Sequence, residues 1–448
     1  MPDLPTMPMR LPVLGHVLSY VRDPLGFFER ASRLGPLVDV ALVGMNAVLV
    51  NEPELVEAIC VTQNRQFQKD RFARDLRRVL GMGLLTSDGD FWRRQRRLAQ
   101  PAFHRERIAG YGKTMVDLAV ASTDRWRDGE VREVHADMMA LTLDIVGKTL
   151  FGADVGARAR EIGACLDAVT ARYADPIAMS VPGWDRLPTP HNRRFRAAVE
   201  RLDGIVRELL RSHRAGTTGD GKDLLSMLMS ARDDDGSGMS DDQLRDETIT
   251  LVLAGHETTA IALTFTWMLL SQHPAVRERL EAELDDVLGD RAPTFADLPR
   301  LGLTDRIVRE SLRLYPPAWS IGREAAEEVE IGGRRFPRGT WFWFIPWAMH
   351  RDARWFADPA SFEPDRWSGD LARSLPRFAY FPFGGGPRQC IGNTFATMET
   401  VLCLAAIARE WRLDVASGRR VELLPTVTLR PRDGLRARVS RRRPRPRP

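Results

Sequence analysis

The stretch from Ser240 to Gln272 constrains the fold more strongly than any other part of the chain. It begins with Ser240-Asp-Asp-Gln243, a capping box that satisfies the first backbone N–H groups of a helix. No proline follows until Pro274, so the pattern predicts one long helix. Its apolar part contains His256 and Glu257 near the centre. Because a charge is costly in lipid, we expect a buried helix rather than a membrane span.

The middle of this helix, Ala254-Gly-His-Glu-Thr-Thr-Ala260, breaks several local rules together. Gly255 in a helix interior costs roughly 0.5–1 kcal/mol relative to alanine. An acid followed by two threonines adds further cost in an apolar setting, unless these groups are paired or solvated. Coincident violations of this kind indicate a functional site. The alternative is a buried, water-filled polar pocket that exists for packing reasons.

A second candidate is Phe381-Pro-Phe-Gly-Gly-Gly-Pro-Arg-Gln-Cys390-Ile-Gly392, which places a cysteine between a glycine-rich turn and a predicted helix from Thr394 to Ala408. Unpaired N–H groups and the helix dipole favour thiolate over thiol, which predicts that Cys390 is a metal ligand or a nucleophile. The glycines would let the backbone approach a flat or bulky group. A buried structural cysteine is one alternative. A phosphate-binding loop is another, although the glycine spacing matches neither nucleotide-binding pattern.

The segment FGGGPRQCIG resembles the haem-binding signature F-x-x-G-x-R-x-C-x-G of the cytochromes P-450 at every fixed position. Four further segments resemble motifs of that family in the family's order. These are W-x-x-x-R (Trp92, Arg96), A/G-G-x-D/E-T-T/S (Ala254 to Thr259), E-x-x-R (Glu310, Arg313) and P-x-R-[FW] (Pro364 to Trp367). The resemblance implies a mainly α fold with a small β region, in which the long helix crosses the haem. It is closest to the soluble bacterial type.

The resemblance also implies roles for individual residues. Cys390 would be the metal ligand, binding the iron of heme b (iron protoporphyrin IX) as a thiolate that favours O–O cleavage. Glu257 and Thr258 would be catalytic, delivering protons. Glu310, Arg313 and Arg366 would form a structural triad that supports the haem loop. The implied cofactor-binding residues are Trp92, Arg96, Ala254, Thr258, Arg323, Phe383, Arg388, Cys390 and Gly392. The implied substrate pocket contains Val252, Ala254, Trp319, Ser320, Ile321 and Val427.

The activity implied is a monooxygenase that inserts one atom of dioxygen into an apolar organic substrate by hydroxylation or epoxidation. No flavin or iron–sulfur region is evident, so electrons are expected from a separate ferredoxin or flavodoxin with its reductase. Arg93, Arg94 and Arg97 would form part of a positive docking face for such an acidic partner. Two alternatives remain open. One is a peroxide-driven peroxygenase of the same fold, which usually lacks the acid–threonine pair. The other is a non-enzymatic haem sensor.

The cysteine content, the N-terminus and the net charge bear on the cellular compartment and the partners of the protein. The four cysteines form neither a zinc-like pattern nor a disulfide framework, which favours a reducing compartment. No signal peptide is evident at the N-terminus, so we expect a cytoplasmic monomer without a membrane partner. The net charge of +5 is partly due to the basic tail, residues 441 to 448. No recognition element accompanies this tail, so nucleic-acid binding is not expected. Residues 1 to 440 are predicted to form a single domain, followed by the disordered tail.

Several short strands are predicted outside these motifs. Residues 38–43 and 46–51 should form a hairpin, and residues 329–336 and 340–344 should add short strands. Near the C-terminus, residues 425–429 and 435–439 also read as strands, the first of which would send a turn into the pocket.

Overall fold

The computed structural model describes residues 4–42, 45–152, 156–174, 186–216, 221, 223–416 and 421–442. Helices account for most of these residues. Their bounds are α1 Val17–Arg22, α2 Pro24–Ser32, α3 Pro53–Glu57, α4 Arg71–Asp75, α5 Arg77–Leu80, α6 Gly89–Ala99, α7 Arg105–Thr123, α8 Val134–Phe151, α9 Gly156–Ala174, α10 Pro190–Arg214, α11 Leu224–Ser230, α12 Asp241–Gln272, α13 Pro274–Leu288, α14 Gly302–Leu314, α15 Pro346–Met349, α16 Leu371–Ser374 and α17 Asn393–Ala408.

The strands form four small sheets within the described residues. Their bounds are β1 Leu37–Leu42, β2 Met45–Val50, β3 Phe67–Lys69, β4 Val131–Glu133, β5 Ile321–Ala325, β6 Val329–Ile331, β7 Arg334–Phe336, β8 Trp341–Phe344, β9 Trp411–Val415, β10 Leu423–Pro425, β11 Leu429–Pro431 and β12 Arg436–Arg441. The largest sheet has the order β1-β2-β8-β5-β3, in which β2 and β8 run parallel and the other neighbours antiparallel. β3 is therefore an edge strand.

The long helix predicted from the capping box is α12. Ser240 accepts a hydrogen bond from the backbone of Gln243, and the Gln243 side chain accepts one from the backbone of Ser240. The helix ends at Gln272, and Pro274 begins the next helix, since proline is tolerated in a first turn. By length and composition α12 could cross a membrane, but 83% of its apolar window is buried within the fold. It is the core helix that the sequence predicted.

Two predictions near the C-terminus need correction. Residues 426–428 are the turn between β10 and β11 rather than part of a strand, because Thr426 N–H bonds the carbonyl of Thr428 and closes the chain on itself. The fold also extends two residues beyond the predicted boundary at 440. Arg441 belongs to β12, and the buried Arg442 pairs with Asp285. The rest of the tail, residues 443–448, lies outside the described residues, as does the turn at 43–44 of the confirmed β1–β2 hairpin.

Candidate active site

The cysteine loop is closed by its own backbone and packed against neighbouring protein. Cys390 N–H donates to the carbonyl of Phe383 over 2.9 Å. Gly386 has φ +67°, and a Cβ there would collide with the carbonyl oxygen of Cys60. A Cβ on Gly385 would collide with the ring of Phe378. These two glycines are therefore required for contact with the protein itself.

Cys390 faces the interior of the molecule. The other three cysteines are buried, whereas Cys390 has accessible surface. Burial by the surrounding protein nevertheless raises the pKa of the Cys390 thiol, and the Gly392 N–H and Arg96 oppose this only in part. Accessible surface within such a desolvated setting indicates an internal cavity. Burial therefore opposes the thiolate form that the predicted position before a helix was expected to favour.

Cationic side chains gather beside this loop. The Arg388 guanidinium lies 3.9 Å from the centre of the Trp92 ring and donates to Asp88 over 2.7 Å. Arg96, one turn after Trp92 on α6, donates to the carbonyl of Gln389 over 3.0 Å. Arg96 is thus tied directly to the cysteine loop, and Trp92 is held under Arg388. The structure brings both residues of the W-x-x-x-R motif to the loop that carries Cys390.

A second part of the cationic group lies in the large sheet. Lys69 on β3 stands directly opposite Arg323 on β5, and both side chains are buried. Like charges in opposed positions destabilise a sheet. Burial, together with the charges of Arg323 and Arg388, lowers the pKa of Lys69 to about 7. Burial also lowers the pKa of Arg388 to about 10. This cluster therefore favours binding of an anion. No motif in the sequence indicated Lys69.

The acid and the threonines of α12 are arranged on different sides of the helix. Glu257 is buried, and its Oε1 accepts a hydrogen bond of 2.7 Å from Thr428 in the β10–β11 turn. Burial raises the pKa of Glu257, and Thr428 and Arg430 oppose that shift. Thr258 is partly exposed and donates to the carbonyl of Ala254 over 2.7 Å. Glu257 and Thr258 are not hydrogen-bonded to each other.

Gly255 and Ala254 of α12 face different surroundings. A Cβ on Gly255 would lie 3.2 Å from Val146 of α8, so glycine allows these two helices to pack closely. Ala254 is exposed although the residues around it are largely buried, so it faces a cavity inside the fold. Leu253, Ile391 and Val427 pack on one hydrophobic cluster. The middle of α12, the cysteine loop and the β10–β11 turn therefore share that cluster.

Three of the residues predicted to line the substrate pocket are instead engaged in other contacts within the protein. Val252 faces away from Ala254 and lines an apolar cavity between α8, α9, α10 and α12, because adjacent helix positions point about 100° apart. Trp319 is only 3% exposed, and its indole donates to the carbonyl of Thr426 over 2.9 Å. The hydroxyl of Ser320 accepts a hydrogen bond from Trp343. Ala254, Ile321 and Val427 remain partly open, and Leu253 was missed.

The three residues of the proposed triad meet in the interior. Glu310 accepts hydrogen bonds from Arg313 at 2.8 and 2.9 Å and from Arg366 at 2.9 Å. Trp367, the last residue of the P-x-R-[FW] motif but not part of the predicted triad, adds a further bond of 2.8 Å to the same carboxylate. Arg313 also donates to the carbonyl of His350, whose ring accepts the N–H of Phe381. The network is thereby connected to the start of the cysteine loop.

The predicted docking face is largely neutralised. Arg94 and Arg97 both pair with Asp233, at 3.0 and 2.8 Å, and Arg93 pairs with Asp90. The three arginines of the predicted docking face are therefore partly balanced by two acidic residues, one of which is shared. The physical reason is that the loop before α12 brings an acidic residue into contact with them, which cannot be read from the arginine run alone.

The long α12 and the cysteine loop, which border one hydrophobic cluster, carry two of the motifs that resemble the haem-thiolate cytochromes P-450. The model of the family described as Cytochrome P450 matches residues 5–434, and the chain belongs to this family. The chain is 40% identical over 428 residues to cyclooctatin synthase of Streptomyces melanosporofaciens, covering 94% of this chain and 92% of that protein. It is 36% identical over 441 residues to pentalenene oxygenase of Streptomyces avermitilis, covering 98% of each.

The crystal structure of the cytochrome P450DA heme domain superimposes with a TM-score of 0.88 at 30% identity, covering 98% of each chain. The predicted fold class is therefore confirmed. Haem is the cofactor of the family, and the chain is a monooxygenase that acts on apolar substrates. The residues present fit that group. A haem carries two carboxylates, and the cations Lys69, Arg323 and Arg388, which lie close enough to act on one another, would neutralise them; Arg388 is two residues before Cys390.

Replacing Lys69 with methionine should stabilise the haem-free protein and weaken its hold on haem. The folded pKa of about 7 lies below the ordinary 10.5, so wild-type stability rises with pH between these values. Lys69→Met should flatten this slope and add roughly 1–3 kcal/mol near pH 7. Haem should dissociate about tenfold faster. Unfolding of apoprotein and haem transfer to apomyoglobin measure the two effects.

Lys113→Met, which alters an exposed lysine, is the control. An unchanged pH slope would contradict the assignment.

Proposed function

We propose that this chain inserts one oxygen atom into a terpene alkene or alkenol. The overall reaction is substrate C–H plus O₂, two electrons and two protons, giving substrate C–OH plus water, or the epoxide where a double bond reacts. The observation that carries this proposal is that Cys390 has accessible surface although the surrounding protein desolvates it, and that its neighbour Ile391 packs on the same hydrophobic cluster as Leu253 of α12. Haem supplies dioxygen binding and O–O cleavage when bound. The chain supplies orientation, protons and exclusion of water.

The residues that would hold the haem follow from their places around the cavity. Cys390 would bind the iron through Sγ, and Arg96, Arg323 and Arg388 would neutralise the carboxylates, joined by Lys69. Trp92 supports Arg388 through the contact between ring and guanidinium. Phe383 and Gly392 shape the loop, since the Phe383 carbonyl accepts the Cys390 N–H and the Gly392 N–H bonds the sulfur. Ala254 leaves room on the opposite side because its side chain is small.

Thr258 and Glu257 would manage protons on the α12 side. The Thr258 hydroxyl is partly exposed and can turn from the Ala254 carbonyl toward a ligand in the cavity. Burial raises the pKa of Glu257, so this carboxyl holds its proton to higher pH than an exposed glutamate does and can exchange it with water. These two side chains do not touch, so a water molecule between them would be needed to pass a proton.

The substrate class is proposed from the relatives and from the cavity together. Pentalenene oxygenase and cyclooctat-9-en-7-ol 5-monooxygenase are named for alkene-derived terpenes, and the second is 38% identical to this chain over 418 residues. The open side chains Leu253, Ala254, Ile321 and Val427 are all apolar. Such a surface suits a hydrocarbon body with few polar groups.

Electrons would come from a separate ferredoxin or flavodoxin with its reductase. Since Arg94 and Arg97 are paired with Asp233, an acidic partner would depend less on α6 than the sequence suggests. Replacing Asp233 would free these cations. We also propose that residues up to 442 act as one domain in a cytoplasmic monomer.

The direct test is turnover with purified holoprotein. Pentalenene and related terpene alkenes are titrated by difference spectroscopy, and those that bind are incubated with ferredoxin, reductase and NADPH. The expected product has gained one oxygen atom, derived from ¹⁸O₂. Equal conversion with hydrogen peroxide alone would favour the peroxygenase alternative. Binding without any product, under conditions that reduce the haem, would support a sensor instead.

Thr258→Ala should separate oxygen consumption from product formation. The variant should still bind substrate and consume O₂, while product per O₂ falls about tenfold, because the hydroxyl that orients the proton supply is missing. Oxygen uptake, hydrogen peroxide release and product are measured together. Thr266→Val removes a buried α12 hydroxyl that bonds the carbonyl of Ala262, and it should behave like the parent. Unaltered product per O₂ in Thr258→Ala would refute the role of Thr258.

A further inference from the structure

One hydrogen bond connects the acid of α12 to the turn that enters the candidate cavity. Thr428 Oγ1 donates to Glu257 Oε1 over 2.7 Å, and both side chains are buried. The preceding residue, Val427, is partly open and is one of the predicted substrate contacts. Adjacent residues of one turn therefore face the acid and the cavity.

The β10–β11 turn is held firmly at several points. Within the turn, Thr426 N–H donates to the carbonyl of Thr428 over 3.0 Å. The indole of Trp319 donates to the carbonyl of Thr426 over 2.9 Å, and Leu429 N–H donates to the carbonyl of Pro317 over 3.0 Å. These bonds tie the turn to the segment that precedes β5. Thr428 therefore cannot shift without its neighbours, and its hydroxyl has a defined direction.

Glu257 depends on this contact for its orientation. Among the described residues, only Oε1 of Glu257 is hydrogen-bonded, and its partner is Thr428, so Oε2 remains for water. Arg430, on β11, lowers the pKa of Glu257, while burial and the charge of Asp167 raise it. A buried carboxyl with one fixed oxygen and one free oxygen is suited to take a proton from one direction and deliver it in another.

We infer that Thr428 is a positioning residue for oxygen insertion, which holds Glu257 in place and links this acid to substrate contact at Val427. The inference rests on the proposed role of Glu257 and deepens it. Substrate seated against Val427 bears on the turn that carries Thr428. Because the turn is fixed at several points, Glu257 and the substrate contact at Val427 keep a constant spacing.

The test compares Thr428→Val, which keeps the shape but removes the hydroxyl, with Thr428→Ser, which retains the hydroxyl. The holoprotein is assayed with its reductase system and with whichever terpene alkene gives the largest binding spectrum. Product per O₂ should fall about 3- to 10-fold in Thr428→Val, and Thr428→Ser should stay within about twofold of the parent. The dissociation constant for substrate should change less than about twofold in both.

A pH profile gives a readout that a purely structural role would not move. The Thr428 hydrogen bond lowers the pKa of Glu257, so its loss should raise that pKa. The pH dependence of product per O₂ should therefore shift to higher pH in Thr428→Val and return in Thr428→Ser. Arg430 and Asp167 remain in both variants, so their charges cannot cause the difference. If Thr428→Val fails to retain haem, Thr428→Ala is assayed in its place.

Glu257→Gln distinguishes failure of this inference from failure of the proposed function. If Glu257→Gln leaves product per O₂ unchanged, the proposed role of the acid is wrong. If Glu257→Gln lowers it but Thr428→Val does not, only the positioning role is overturned. Because Thr428 would act through Glu257, the double variant should be no worse than Glu257→Gln alone. Additive losses would also overturn the inference.

Discussion

Cys390→Ser is expected to abolish the long-wavelength absorption band of the reduced, carbon-monoxide-bound protein. Serine is nearly isosteric, but its oxygen cannot replace a thiolate as an electron-donating haem ligand. Oxygen insertion should fall at least about a hundredfold, equivalent to about 3 kcal/mol in the barrier. The difference spectrum and product formation are measured on the same preparation after its haem content is determined.

Cys60→Ser is the matched control for this experiment. Cys60 is buried, and its carbonyl oxygen lies against Gly386 of the cysteine loop, but its side chain is not exposed to the cavity. The control should keep the band, since the backbone contact is unchanged. A normal band in Cys390→Ser would refute the ligand assignment. Loss of the band in both variants would show that the effect comes from disturbance of the loop.

Arg313→Ala is expected to prevent accumulation of stable, haem-loaded protein. It leaves the fully buried Glu310 without its main partner and removes the donor to the carbonyls of His350, Pro359 and Ser361. Breaking a buried ion pair in this way costs about 3–5 kcal/mol. Denaturant unfolding of the purified protein and haem content per chain measure the effect. Arg309→Ala, on the same helix, removes a partly exposed pair with Asp305 and should cost less than about 1 kcal/mol.

The pH dependence of stability gives a second reading of the same network. Burial favours the protonated form of Glu310, but hydrogen bonds from Arg313 and neighbouring groups prevail and lower its pKa below 4.5. The network therefore stabilises the fold above the ordinary pKa and loses this contribution as pH falls through the lowered one. Arg313→Ala should remove this acid sensitivity. A variant as stable as Arg309→Ala, with an unchanged acid limb, would contradict the structural role.

Local patterns in the sequence correctly predicted those helices and loops whose formation depends on neighbouring residues. The capping box at Ser240 and Pro274 predicted the bounds of α12 closely. The signature around Cys390 predicted a loop before a helix, which α17 confirms. These features depend on residues close together in the chain, so a single sequence contains them.

The misses share a physical cause, which is contact between distant segments. Lys69 meets Arg323 through pairing of β3 with β5, and Asp233 neutralises Arg94 through a loop contact. Neither partner is indicated by spacing. Val252 was assigned to the wrong side of α12 because an apolar helix buried all round gives no amphipathic pattern from which to choose a face. Thr428 could not be found because its role depends on where the turn lies relative to Glu257.

The opposed cations of β3 and β5 have a consequence for assembly of the holoprotein. β3 lies at the edge of its sheet, so it can detach without disturbing the pairing of β1, β2 and β8. Repulsion between Lys69 and Arg323 weakens this pairing until a counter-ion arrives. An incoming haem would bring two negative charges to that place and remove the obstacle. We therefore expect the edge strand to be the part of the sheet whose stability depends most on the prosthetic group.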